Sequence, residues 1–212
     1  MASPEPGSDD FFEPAGAVTA ELKVRRSLFI ADLAPCGSAD AAREALAGAE
    51  KSNKNADHYC WAYRLDPDSE TVHFSDGGEP AGTAGRPILA AIRQSGMFNV
   101  VIVVTRYFGG IKLGVRGLID AYGQAAADAA SRAGRVPNAR KRKVAVRLPY
   151  AAAGDVAHLL SAGAVGSPEW RCAADAEVVA DVRASGASRL EASLNEFLAR
   201  KRIHSWNWLP PA

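Results

Sequence analysis

Cysteine is scarce in this chain: Cys36, Cys60 and Cys172 lie far apart, with no C-x-x-C pair. An odd, sparse set argues against a disulfide framework or a zinc knuckle and suits a reducing compartment. No apolar run approaches the roughly 20 residues a membrane helix needs, and no basic start followed by an apolar block marks a secretory signal. A cytoplasmic protein without membrane contact is therefore expected. G-x-G-x-x-G is missing. Gly109 and Gly114 have P-loop spacing, but Val115-Arg116 stands where Lys-Ser/Thr is required, so NTP hydrolysis lacks its parts. An RNA-binding consensus of the K/R-G-F-G-F type is also absent. Residues 1–22 hold Glu5, Asp9, Asp10, Glu13 and Glu21 and no basic residue. The 48% hydrophobic share is that of a globular protein and suffices for one large core or two small ones.

What is present centres on residues 99–122, NVVIVVTRYFGGIKLGVRGLIDAY. A short apolar β-type run breaks into a loop carrying Arg106, Gly109, Gly110, Lys112, Gly114, Arg116 and Gly117, and an amphipathic helix pattern follows. Strand, basic glycine loop and helix N-terminus in that order form an anion-binding device: backbone N–H groups approach the ligand and the helix end adds partial positive charge. A tight strand-to-helix turn would use the same glycines, and the loop alone leaves both readings open. Residues 99–147 contain ten basic groups against Asp120 and Asp128, a separation of charge that speaks about partners. Arg140, Lys141 and Arg142, in a stretch read as a linker over 135–143, join the candidate phosphate contacts.

A second loop, residues 75–87 (SDGGEPAGTAGRP), groups Asp76, Glu79, Thr83 and Arg86 as a polar site. Two carboxylates three apart suit a metal, but ion pairing with Arg86 or Arg106, or capping of the next helix, is the favoured reading. No metal or cofactor is expected. His58 and Cys60 alternate on one strand beside His73. A packed hairpin core is favoured over a thiol nucleophile, because no orienting group or oxyanion hole accompanies them. Trp206 and Trp208 share a strand face, and at least one is expected to pack against the final helix or the first domain rather than stack bases.

The coarse pattern is an acidic disordered tail over 1–17, then a strand over 20–31, a helix over 39–50 and strands at 58–65 and 71–74. A helix over 87–94, a strand from 100 and a long helix to about 134 complete a first domain, 18–138. Beyond the linker, β-α-β-β-α-β in residues 143–212 has the split-βαβ, ferredoxin-like order. The class is α+β in two domains.

The strings FSDGGEPAGTAGRPIL and NVVIVVTRYFGGIKLGVRGLIDAYG, preceded by RRSLFIA and HYCWAYRL, resemble the IMPACT/YigZ family in four ordered blocks. The resemblance implies a first domain arranged like domain IV of elongation factor G and a ferredoxin-like second domain. Eukaryotic members of that family modulate translational control, and this chain resembles the stand-alone bacterial type. The family's S-D-D-G-E-P reads with Gly77 in place of its second aspartate. Its L-G-T-G-G-L reads with Val115 and Arg116. Its basic residue before A-Y is Asp120, and its S-R-F carries Leu28.

Two functions follow as expectations. The first is a translation-associated binder of RNA or the ribosome, with a phosphate-bearing ligand or a protein as further partners. The second is an enzyme acting on a small phosphorylated or acyl substrate at the loops 75–85 and 106–117.

Overall fold

The computed structural model describes residues 9–210. They divide into two units: Phe11–Asn138, and a second from Ala139 onward that includes Asp9 and Asp10. The class is mixed α+β.

The first unit opens with β1 (Asp10–Pro14), β2 (Val18–Val24) and β3 (Ser27–Pro35). There follow α1 (Ala39–Ser52), β4 (His58–Leu65), β5 (Thr71–Ser75), α2 (Gly85–Ser95), β6 (Val100–Tyr107), α3 (Gly114–Ala133) and β7 (Arg135–Ala139). Five strands form one antiparallel sheet in the order β2-β3-β6-β4-β5. Central β6 is apolar on both sides because both sides are covered. Val100, Ile102 and Val104 face the core built with α2 and α3, whereas Val101 and Val103 join the cluster under α1. This alternation is why the run reads as continuously hydrophobic.

Three expectations are corrected here. The strand placed over residues 20–31 is a hairpin, β2 to β3, turning at Arg25 and Arg26 with φ of 43° and 69°. Two positive-φ central residues fit a type I′ turn, which Asn-Gly normally signals; two arginines gave no such cue. The tail expected to run to residue 17 is ordered from residue 9, since its acids find donors. Glu13 accepts from Asn99 Nδ2 at 2.7 Å and Asn138 Nδ2 at 2.9 Å, and Asp9 accepts from the Ser185 amide at 2.9 Å. Residues 1–8 lie outside the described residues. The stretch 135–143 is no linker: β7 pairs with β1, and residue 141 already belongs to the next strand. Pro137 is tolerated because it sits in a two-stranded edge arrangement.

The second unit runs β8 (Lys141–Leu148), α4 (Ala153–Ser161), β9 (Glu169–Cys172), β10 (Ala176–Arg183), α5 (Ala187–Ala199) and β11 (Ser205–Leu209). Its antiparallel sheet has the order β11-β8-β10-β9. Val144, Val146, Leu148, Val178 and Val182 face Leu160 of α4 and Leu194 of α5 in a single core. Trp206 and Trp208 pack against that core as expected, their indole N–H groups donating to Asn195 at 3.1 Å and Glu191 at 3.3 Å. No helix among the described residues is long and apolar enough to cross a membrane.

Truncating Ile102, fully buried in the central strand, removes contacts on the side of α2 and α3. Ile102→Ala is expected to lower stability by about 2–5 kcal/mol, read as a fall in the urea midpoint of the first unit's transition with an unchanged m value.

Candidate functional site

One end of the first sheet gathers the end of β6, the start of β4, the β2–β3 turn and the loops on either side of α2 and α3. The two sequence-predicted loops meet there through a buried ion pair. Arg106, on β6, sends Nη1 to Glu79 Oε1 at 2.5 Å, and Tyr122 of α3 donates its hydroxyl to the same oxygen at 2.8 Å. His58 at the start of β4 approaches that oxygen with Nε2 at 3.9 Å, while its Nδ1 donates to the Gly77 carbonyl at 3.0 Å. The Arg106 guanidinium lies over the rings of Phe29, 5.5 Å from its centroid, and Phe108, 5.4 Å from its centroid. A second nitrogen reaches Ser27 Oγ at 3.5 Å, but its buried Nε meets no acceptor.

Asp76 has a separate task. Its carboxylate accepts from the amides of Gly82 (2.8 Å), Ala84 (3.0 Å) and Gly85 (2.8 Å), closing the loop and capping α2 from a distance. Burial pushes its pKa up, but the three amide donors and the charge of Arg86 outweigh that and hold it below the ordinary carboxylate range. The favoured reading of the two carboxylates as one ion pair and one cap is therefore what the fold contains. Thr83 is also spent internally, its hydroxyl donating to the Pro80 carbonyl at 2.7 Å. Arg86 is exposed and lies 6.0 Å from the Phe74 ring. These four do not converge on one point as a polar site: only Glu79 reaches the cleft described next.

That cleft, of about 450 Å³, is bounded by His58, Glu79, Arg106, Phe108, Lys112 and the start of α3. Phe108 is 45% exposed. No side chain caps α3, so the first-turn amides of Gly114, Val115 and Arg116 have no acceptor among the described residues. The preceding loop is less open than its glycines suggest. The Phe108 amide donates to Asp57 at 2.7 Å and the Gly109 amide to Ser27 Oγ at 3.2 Å. Gly109 is a packing glycine: a Cβ there would lie 2.1 Å from the Arg26 carbonyl. It clamps the strained Arg25-Arg26 turn against the loop, and both arginines are exposed.

The predicted anion set thus separates. Arg106, Lys112 and Gly114 bound the cleft, and Gly110 stands exposed on the loop at φ 82°. Arg116 and Gly117 face a neighbouring depression with Arg25 and Leu22. Arg106 is no mobile phosphate ligand but half of the buried pair. Arg140, Lys141 and Arg142 belong to the second unit, where Lys141 pairs with Asp181 at 3.1 Å and Arg142 lies 4.0 Å over the Trp208 ring. Phe108, Arg25, Arg26 and Tyr122 escaped the sequence reading as site residues.

Two departures from the family pattern explain each other: Arg116 and Asp120, four apart on α3, form an exposed ion pair at 3.2 Å. Gly77 is enforced here, since a Cβ would sit 2.1 Å from the Tyr59 carbonyl and φ is 54°. Nothing in the structure explains Leu28 or Val115. Cys60 is fully buried, with its thiol donating to the Asp76 carbonyl at 3.0 Å. Burial pushes that thiol up to about 12, so at neutral pH it is not a thiolate nucleophile. Burial raises the Tyr122 hydroxyl as well. No group of three or more metal-ligating side chains exists among the described residues.

Comparison with known proteins adds the following. The family model described as the Impact N-terminal domain matches residues 25–130. An IMPACT family member of Thermus thermophilus is 44% identical over 66% of this chain and 74% of its own length. YigZ of Escherichia coli is 42% identical over 52% of this chain and 55% of its own, so the chain's match spans little more than half of that relative. A solved structure described as a hypothetical protein superposes with a TM-score of 0.66 at 29% identity, covering 96% of this chain and 98% of the other.

Two measurements follow from the ion pair and the cap. Glu79→Ala leaves the buried guanidinium uncompensated and is expected to cost about 3–5 kcal/mol; a double replacement of Glu79 and Arg106 by Met should cost less than the single change. For Asp76 the folded pKa is depressed, so its contribution is present above the ordinary range near pH 4 and lost as pH falls through the lower folded value. The stability difference between wild type and Asp76→Asn should therefore be constant from pH 8 to about 5 and shrink below about pH 4, read by thermal melts across pH.

Proposed function

The chain belongs to the IMPACT family, and from that premise we propose that it is a translation-associated protein that binds RNA or the ribosome through the end of its first sheet. The observation that carries this reading is the cleft where Lys112 and the uncapped start of α3 stand beside the exposed Arg25-Arg26 turn. Helix-end amides and three unburied cations suit phosphate, and neutralising phosphates releases counterions. The second unit adds Lys141, Arg142 and Arg140 as further contacts. Its strand order, β11-β8-β10-β9 over α4 and α5, supports the ferredoxin-like reading. The split β-α-β layout of the first sheet supports the likeness to domain IV of elongation factor G.

An enzyme acting on a small phosphorylated substrate would use the same cleft. Its acyl-transfer form finds less support, because Cys60 is held as a thiol and Asp76 is committed to α2.

The test is fluorescence anisotropy with labelled tRNA and rRNA fragments at two salt concentrations. Binding should weaken steeply with salt, and replacing Arg25, Arg26 and Lys112 together by Ala should reduce the log–log slope by about 2–3. Arg106 is left intact in this variant because its loss would unsettle the fold. Absence of binding at low salt, or a triple variant that binds as wild type does, would overturn the proposal.

A further inference from the structure

The cleft has features that phosphate attraction alone does not require. Phe108 is an exposed aromatic ring whose backbone is fixed by the Asp57 carboxylate and whose inner face is backed by the Arg106 guanidinium at 5.4 Å. Arg106 is itself immobilised by Glu79 and by Phe29 behind it. The Arg106 guanidinium thus lies within cation–π reach of both the buried Phe29 ring and the open Phe108 ring. A rigid terminal ring beside cationic groups is the arrangement that receives an unstacked base.

The volume agrees. About 450 Å³ is in the range of a small-ligand site and holds a single nucleotide, not a helical groove or a folded partner. Its edge presents the Asp57 carboxylate, an acceptor suited to a base amino group. The opposite edge has Lys112 and the open amides of α3. Inside a duplex the bases are stacked and paired, so only an unpaired residue can enter.

Resting on the RNA reading above, we infer that this cleft takes one unpaired nucleotide of a single-stranded RNA. The base stacks on Phe108, its phosphate lies at Lys112 and the start of α3, and neighbouring phosphates run past Arg25 and Arg26. Duplex RNA lacks the free base that the ring selects.

The experiment compares a short single-stranded RNA carrying one 2-aminopurine with the blunt duplex of the same sequence, by anisotropy and 2-aminopurine fluorescence at low salt. The single strand should bind at least about tenfold tighter than the duplex. Phe108→Ala should weaken single-strand binding by about 5- to 150-fold, the equivalent of base–ring stacking, and leave duplex binding unchanged. Wild type and Phe108→Trp should quench the 2-aminopurine, and Phe108→Ala should not. Because Phe108 is exposed, its melting temperature serves as the control for folding. Equal binding of both RNAs with no effect of Phe108→Ala would overturn this inference and leave RNA binding standing. No binding of either RNA would overturn the RNA reading as well.

Discussion

The buried pair between Glu79 and Arg106 is the constraint on which this end of the molecule depends. A guanidinium and a carboxylate taken out of water stay charged only if each is held by the other and by further hydrogen bonds. Here Tyr122 of α3, Ser27 at the start of β3 and the loop before α2 all enter the arrangement. One ion pair therefore ties four separate segments together: β6, the loop before α2, α3 and the start of β3. Once the pair is in place, Phe108 has a support behind its ring, His58 has a fixed orientation, and the start of α3 lies opposite Glu79 across a cleft rather than against it. Positioning comes from the buried charges; ligand attraction is left to the exposed ones.

Much of this was legible from sequence because it obeys local rules. The β6 run and α3 were legible since apolar periodicity is a short-range signal. The division of labour between Asp76 and Glu79 was legible as a choice, and the fold makes both halves of it. What escaped were features that local pattern does not encode. Arg25-Arg26 forms a tight turn without glycine or asparagine, held by contact with Gly109 some 80 positions away in the chain. β1 and β7 carry prolines and charges that read as tail and linker, and they exist because each supplies the other's ladder partner. The platform role of Phe108 arises from Arg106 behind it and is invisible in the string TRYFGG.

The departures from the family pattern follow the same logic. Arg116 stands where the pattern has glycine and Asp120 where it has a basic residue, and together they form a local pair on the exposed side of α3. They leave the cleft itself untouched. Gly77 replaces a carboxylate where the backbone of β4 leaves no room for a side chain. Neither change places a side chain on the Glu79–Arg106 pair or on Lys112, and Gly77 meets His58 through its backbone carbonyl alone.

The most direct test is amide chemical-shift mapping of the isotopically labelled full chain during titration with a short single-stranded RNA. The account predicts saturable shifts concentrated at residues 108–117, at Arg25 and Arg26 and at the rim residues Asp57 and His58, with the amides at the start of α3 moving most. Shifts that leave this region still while another surface responds would contradict it.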